Sequence, residues 1–292
     1  MRPDAENADA NGVPRLNLTS PSQVKAWCIE NGFHPNKTMG QNFLIDRNAL
    51  EAIVDAGLDG CGDGATVLEI GPGMGVLTEE MLARGCGVLA IEKDPVLAAR
   101  LAGALGNPPR LRVVAGDALD VLSSAAVDPQ RASFALTDFA CMVSNLPYQA
   151  GTRILLDLVQ TRALPAMTVL VQTEVAERLA AREGSKARGL AGVWAQLDYD
   201  VRIVRKVAAS CFWPRPEIGS SVVRLVRHDR NAGFSAAERD LFRRLTKKAF
   251  EHRRKQLGSI FKDMIQSTAR AEELSEDDWI TLTKGLIQNE DA

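Results

Sequence analysis

The stretch TVLEIGPGMGVLTEEML, Thr66 to Leu82, decides the fold. An apolar run from Thr66 to Gly71 reads as a strand. Glycines at 71, 73 and 75 then let the backbone turn tightly and come close to a ligand, and a helical pattern over 76–84 follows. The spacing is GxGxG. A dinucleotide fingerprint, GxGxxG, would need glycine at 76, where the chain has Val76, so a loop that cradles a pyrophosphate is disfavoured.

Outward from that stretch the pattern alternates. Helix 47–57, strand 66–71, helix 76–84, strand 87–92, helix 95–105 and strand 111–116 are followed by strand 141–145, helix 151–160 and strand 167–172. The strands are continuously apolar rather than alternating, which predicts a parallel sheet covered by helices on both faces. Segments 198–207 and 220–226 follow one another without a long helix between them, so an antiparallel pair is expected at one edge. Upstream, Ser20, Pro21 and Gln23 predict a helix opened by an S-x-x-Q capping box and ended at Gly32. Residues 1–18 lack aromatic and periodic apolar content, which predicts a disordered extension. Residues 19–230 then form the α/β domain, and 231–292 read as helical throughout, a small second domain.

Composition fits this plan. A chain of 292 residues with 46% hydrophobic and 25% charged residues has room for one large and one small domain. No apolar run approaches the roughly 18–20 residues of a membrane span, and the polar, acidic first twenty positions lack a secretory segment, so a cytoplasmic protein is expected. The five cysteines (Cys28, Cys61, Cys86, Cys141, Cys211) are scattered and never spaced C-x-x-C, which argues for buried thiols and against a disulfide framework or a metal site. The net charge of −2 hides a local patch: Arg239 to Lys262 holds nine basic residues against two acidic ones. Such a patch suits contacts with phosphates.

In a doubly wound sheet the strand ends face one crevice. Gly71 and Gly73 lie at the first end and Glu92 at the second, about 20 residues on, the usual place for an acid that binds ribose hydroxyls; Asp117 follows the third. Together they describe a nucleoside without a phosphate, which fits S-adenosylmethionine. At the fourth end stands VSNLPYQAGT, 143–152. An exocyclic adenine amine is a poor nucleophile because its lone pair is delocalised. The Asn145 side-chain carbonyl and the Leu146 backbone carbonyl could accept its hydrogens and stabilise the developing charge. Pro147 fixes the backbone there, and Tyr148 offers a face for a base that has left its stack.

The set GQNFLID (40–46), VLEIGPGMGVLTEEML (67–82), AIEKDP (90–95), GDAL (116–119), SNLPY (144–148), VQTEVAERL (171–179), FWPRPEIGSSVVRL (212–225) and AFEHRRKQL (249–257) resembles the small-subunit ribosomal RNA adenine dimethyltransferases, relatives of the erythromycin-resistance methyltransferases. The resemblance covers nearly the whole chain from about residue 20. It implies a Rossmann-like class I methyltransferase with a mostly parallel seven-stranded sheet and a small C-terminal helical domain. The implied activity is transfer of methyl groups from S-adenosylmethionine to N6 of two adjacent adenines near the 3′ end of small-subunit rRNA, two per base. It further implies cofactor roles for Asn42 and Leu44 and a place for Phe212 beside the flipped base, opposite Tyr148; from the residues alone, a core aromatic is an equal reading of Phe212. Lys247, Lys248, Arg253, Arg254 and Lys255 are the expected RNA contacts, small-subunit rRNA or its precursor particle the expected partner, and a monomer the expected state. Methylation of large-subunit rRNA and a non-catalytic assembly factor are the alternatives. The chain departs from the family at Gln149, Ala150 and Gly151, at Arg188 and Gly192 (usually Tyr and Ser), and at Glu217 and Gly219 (usually Lys and Asp).

Overall fold

The computed structural model describes residues 16–36, 39–262 and 264–290. Strands β2 (Thr66–Ile70), β3 (Gly87–Glu92), β4 (Leu111–Ala115), β5 (Cys141–Asn145), β6 (Ala166–Gln172), β7 (Tyr199–Val207) and β9 (Ser220–Arg227) form a sheet in the order β4-β3-β2-β5-β6-β9-β7. The pairs β3–β4, β2–β3, β2–β5 and β5–β6 are parallel. Val67, Leu68 and Ile70 of β2 and Cys141, Met142 and Val143 of β5 are all buried, because helices cover both faces of the sheet centre. β4, at the edge, is only partly covered. Short β1 (Phe43–Leu44) pairs antiparallel with β8 (Phe212–Trp213), with Leu44 opposite Phe212.

The helices of this part are α1 (Pro21–Glu30), α2 (Arg47–Leu58), α3 (Val76–Ala83), α4 (Pro95–Ala104), α5 (Ala118–Val127), α6 (Pro129–Ala132) and α7 (Gly151–Thr161). Their starts are set by local chemistry: Asp46, Asp94 and Asp117 each accept backbone N–H bonds at the openings of α2, α4 and α5. At α1 the expected capping box is replaced by another arrangement. Ser20 is the cap residue and Pro21 the first helical residue, but the Ser20 side chain makes no cap bond; the Gln23 side chain instead accepts from Asn17 N–H at 2.9 Å.

Two compact units emerge: residues up to Thr173 with Val204–Arg224, and Glu174–Ile203 with residues from Leu225 on. This differs from the single boundary expected at 230. The second unit recruits α8 (Thr173–Ala180) and α9 (Leu190–Gln196) because Val193 and Leu197 share one apolar cluster with Phe242, Leu245 and Trp279. Its other helices are α10 (Ala236–Glu251), α11 (Leu257–Ile260) and α12 (Glu276–Glu290), so 232–292 is not helical throughout; turns fill much of the interval before α12. Of the expected 1–18 extension, residues 1–15 lie outside the described residues, and Leu18 is buried against Val24 and Phe43. Among the described residues no helix is long and apolar enough to cross a membrane.

The departures at 188 and 192 belong to this second unit's interior. Arg188 is fully buried, donating to the carbonyls of Leu274 (2.9 Å) and Ala181 (3.2 Å) and pairing with Glu276 at 2.8 Å. It ties the segment after α8 to the start of α12 from inside the unit. A Cβ at Gly192 would sit 2.4 Å from the Arg178 carbonyl oxygen, so only glycine lets α9 approach α8 this closely. Replacing Arg188 with alanine strands Glu276 and two carbonyls. Thermal and chemical unfolding should then show a loss of about 3–5 kcal/mol.

Candidate active site

Four parallel strand ends converge on one cleft. Gly71, Gly73, Glu92, Asp117, Asn145, Leu146, Pro147 and Tyr148 all line it, together with Asn42 and Leu44 from the segment before α2. The glycine loop supplies its floor. Gly71, Gly73 and Gly75 have φ of +67°, +59° and +93°, and a Cβ at Gly75 would meet Leu101 Cδ1 at 2.5 Å, so side chains there would strain the loop and clash.

The loop is held by an acid rather than by a phosphate. Gly73 N–H donates to Glu92 Oε2 at 3.0 Å and Asp94 N–H to Glu92 Oε1 at 2.8 Å. Burial pushes the Glu92 carboxyl above its usual range, while these two N–H groups pull it back. Beside it lies Glu69, which the sequence reading left inside an apolar strand and assigned no role. It is 1% exposed, lines the same cleft and accepts the Thr78 hydroxyl at 2.6 Å. Burial pushes its carboxyl up to about 8, with the Glu92 charge adding to the shift. The signal in the sequence was there: one acid within a strand apolar on both sides.

Asp117 serves two ends. Its Oδ1 accepts Leu119 N–H at 3.0 Å, capping α5, and its Oδ2 takes the Lys93 ammonium at 2.7 Å, which holds the carboxyl below its usual range. It caps a helix and lines the cleft at once.

At the fourth strand end the side-chain amide of Asn145 is oriented by the chain. Its Nδ2 donates to the Asn42 carbonyl at 3.1 Å, and Asn42 Nδ2 donates to the Gly40 carbonyl at 3.1 Å. With the amino end committed, Oδ1 is the end of Asn145 left for a ligand. Pro147 offers its carbonyl to Gly151 N–H at 2.7 Å, closing the turn into α7. A Cβ at Gly151 would lie 2.9 Å from Leu146 Cβ, which explains that departure as close packing; Gln149 is simply exposed. Tyr148 is half-buried, its hydroxyl 2.7 Å from Ser220 Oγ, and burial pushes the phenol up.

Phe212 is not brought into this cleft. It is 2% exposed in the core cluster with Phe43, Leu44, Val207 and Val222, so of the two readings of this residue the core aromatic is the one found. In the second unit Lys247, Lys248, Arg254 and Lys255 are exposed, with the Lys248 ammonium 5.3 Å above the Phe261 ring. Arg253 is half-buried and engaged, donating to the Lys186 carbonyl at 2.6 Å and facing Glu272 at 3.4 Å. Arg239, also counted in the basic run, is buried on Asp198 at 2.6 Å. Among the described residues no group of three or more His, Cys, Asp and Glu side chains is arranged to hold a metal ion.

Of the ionisable lining residues, Lys93 is paired with Asp117 and Glu69 holds its proton at neutral pH, which leaves Glu92 as the unpaired carboxylate. Such a lining offers hydrogen-bond acceptors for hydroxyls and no disengaged cation for a phosphate.

Comparison with known proteins agrees with this geometry. The family model described as ribosomal RNA adenine dimethylase matches residues 32–284. The Ribosomal RNA small subunit methyltransferase A of Deinococcus radiodurans is 43% identical over 212 residues, 71% of this chain and 67% of that protein. The protein of the same name from Sphingopyxis alaskensis is 37% identical over 276 residues, 87% and 95% of the two chains. Among solved structures, a dimethyladenosine transferase from Plasmodium falciparum shares the fold with a TM-score of 0.70 at 21% identity, over 85% of this chain and 98% of that one. The 23S rRNA methyltransferase ErmE does so at 0.61 and 22%, over 85% and 100%. With its motifs in order, its Rossmann-like sheet and a match over most of its length, the chain belongs to the ribosomal RNA adenine dimethylase family.

Proposed function

We propose that this chain is an S-adenosylmethionine-dependent methyltransferase that dimethylates N6 of two adjacent adenines near the 3′ end of small-subunit rRNA, in the cytoplasm, during ribosome biogenesis. Family membership and the names of the relatives support the reaction and the substrate. The observation that carries the chemistry is the Asn145 amide, pinned through Nδ2 so that Oδ1 accepts.

The residues of the cleft fit the cofactor: Glu92 for ribose hydroxyls, Asp117 for the adenine edge, and the glycine loop for close backbone approach. Bound S-adenosylmethionine supplies an electrophilic methyl group on a sulfonium. The chain's own work is positional and electrostatic. In the first transfer Asn145 Oδ1 and the Leu146 carbonyl accept the two N6 hydrogens, and in the second the one that remains, so positive charge growing on the nitrogen as the carbon–sulfur bond breaks is met by fixed dipoles, and each methylated nitrogen then loses one proton to solvent. Pro147 keeps the Leu146 carbonyl in place, and the Tyr148 ring receives the base. Exposed Lys247, Lys248, Arg254 and Lys255 contact RNA phosphates, a grip that reads little sequence.

Replacing Asn145 with alanine should leave cofactor binding, measured by calorimetry, near wild type, while methyl transfer falls by about 100-fold or more. Near-normal turnover would remove Asn145 from the mechanism. Stops by reverse transcriptase on treated, initially unmethylated ribosomes test the substrate: stops confined to large-subunit RNA would overturn it.

Glu69 gives a pH signature. Its folded-state value of about 8 is raised, so the contribution of its neutral form is complete below the ordinary glutamate range and is lost as pH rises through 8. Stability of the ligand-free protein should decline by up to about 1.4 kcal/mol per pH unit between pH 5 and 8 from this group. Glu69→Gln keeps an acceptor for Thr78 and should flatten that slope in pH-resolved thermal unfolding.

Alanine at Lys247, Lys248, Arg254 and Lys255 together should reduce the slope of log affinity for RNA against log salt by about 3. Arg253→Ala should instead lower the unfolding temperature and leave the slope nearly unchanged, since Arg253 is engaged with Lys186 and Glu272.

A further inference from the structure

The Tyr148 hydroxyl has no part in stacking a base, because a phenyl ring presents the same face. It is nevertheless held by a hydrogen bond to Ser220 Oγ at 2.7 Å on the half-buried side of the ring. Ser220 opens β9, is fully buried, and stands 72 positions away in the chain. Its own place is fixed on both sides. The Gly219 carbonyl accepts from Thr173 N–H at 3.0 Å and from Thr173 Oγ1 at 3.0 Å, and Thr173 Oγ1 lies 3.1 Å from Ser221 Oγ. The other end of the tyrosine is equally confined: a Cβ at Gly40 would sit 3.1 Å from Tyr148 N, so the two backbones pass in near contact. The ring is therefore held at its Cα by Gly40 and Pro147 and at its hydroxyl by Ser220.

We infer that Ser220 is a positioning residue, whose hydroxyl pegs the Tyr148 ring in the attitude that receives the target adenine. The inference rests on the methyl-transfer reading above. A ring free to swing about its two side-chain bonds would have to be ordered each time a base arrives, and the base would arrive less often with N6 between the Asn145 and Leu146 acceptors. Ser220 acts only through Tyr148, so the two changes Ser220→Ala and Tyr148→Phe delete the same bond from opposite ends.

The experiment is a double-mutant cycle read by single-turnover methyl transfer from labelled S-adenosylmethionine to unmethylated small ribosomal subunits, with both saturating, beside calorimetric binding of the cofactor. Each single variant should slow transfer about fivefold, the loss expected for one neutral hydrogen bond. The double variant should be no slower than either single one, and cofactor affinity should stay within twofold of wild type in all three. Effects that multiply in the double variant, or transfer at the wild-type rate in Tyr148→Phe, would overturn the inference. Tyr148→Phe carries the test alone if Ser220→Ala does not fold. A wild-type protein that binds cofactor but transfers no methyl group would overturn the proposed function, and this inference with it.

Discussion

Two carboxyl groups, Glu69 within β2 and Glu92 at the end of the adjacent parallel strand β3, line one cleft, each almost without solvent. The electrostatic cost of that pair governs the rest of the site. Glu92 is stabilised by the N–H groups of Gly73 and Asp94, and a loop can aim an N–H at it only by taking the left-handed turns that glycine allows. Glu69 has the Thr78 hydroxyl from the first turn of α3 and keeps its proton up to about pH 8. A site arranged to tolerate one buried negative charge, with a second held in reserve, favours a cationic ligand. It disfavours the pyrophosphate that similar glycine loops often hold.

Much of this was legible in the sequence because it is local. Continuous apolar strands, the glycine spacing and the polar residue closing each strand are read within ten residues or fewer, and the structure puts Gly71, Glu92, Asp117 and Asn145 in one cleft. What escaped depends on pairs far apart in the chain. The bond from Asn145 to the Asn42 carbonyl spans 103 positions, and no local pattern announces that Asn42 acts through its backbone. Glu69 was passed over because an acid inside a strand looks like a break in the pattern, whereas its burial is what raises its carboxyl. Phe212 lies in the core for the reverse reason, since its place there is set by pairing with Leu44, far away in the chain.

The same distinction separates the positions at which this chain departs from its family. Arg188, Gly192 and Gly151 sit where packing decides, and each is explained by a contact: a buried ion pair, a carbonyl 2.4 Å from a Cβ that is not there, and a side chain at 2.9 Å. Glu217 and Gln149 are exposed, and nothing in the structure explains them. The domain boundary follows the same logic. A hydrophobicity pattern gives α9 no reason to leave the α/β domain, but Val193 and Leu197 bury themselves with Phe242 and Trp279, and that burial assigns the segment.

Charge imposes a division of labour on an enzyme of this kind. A cleft in which Glu92 is a carboxylate, Glu69 holds its proton up to about pH 8 and Lys93 is paired with Asp117 offers the phosphates of an RNA no cation that is not already engaged. On the proposed function phosphate contacts come from elsewhere, and the exposed Lys247, Lys248, Arg254 and Lys255 are the candidates. On the proposed function the base that reacts reaches the cleft by leaving its stack. Binding energy gained on phosphates would offset that unstacking, and the base would then meet a stacking face and two hydrogen-bond acceptors without any charged group having to move.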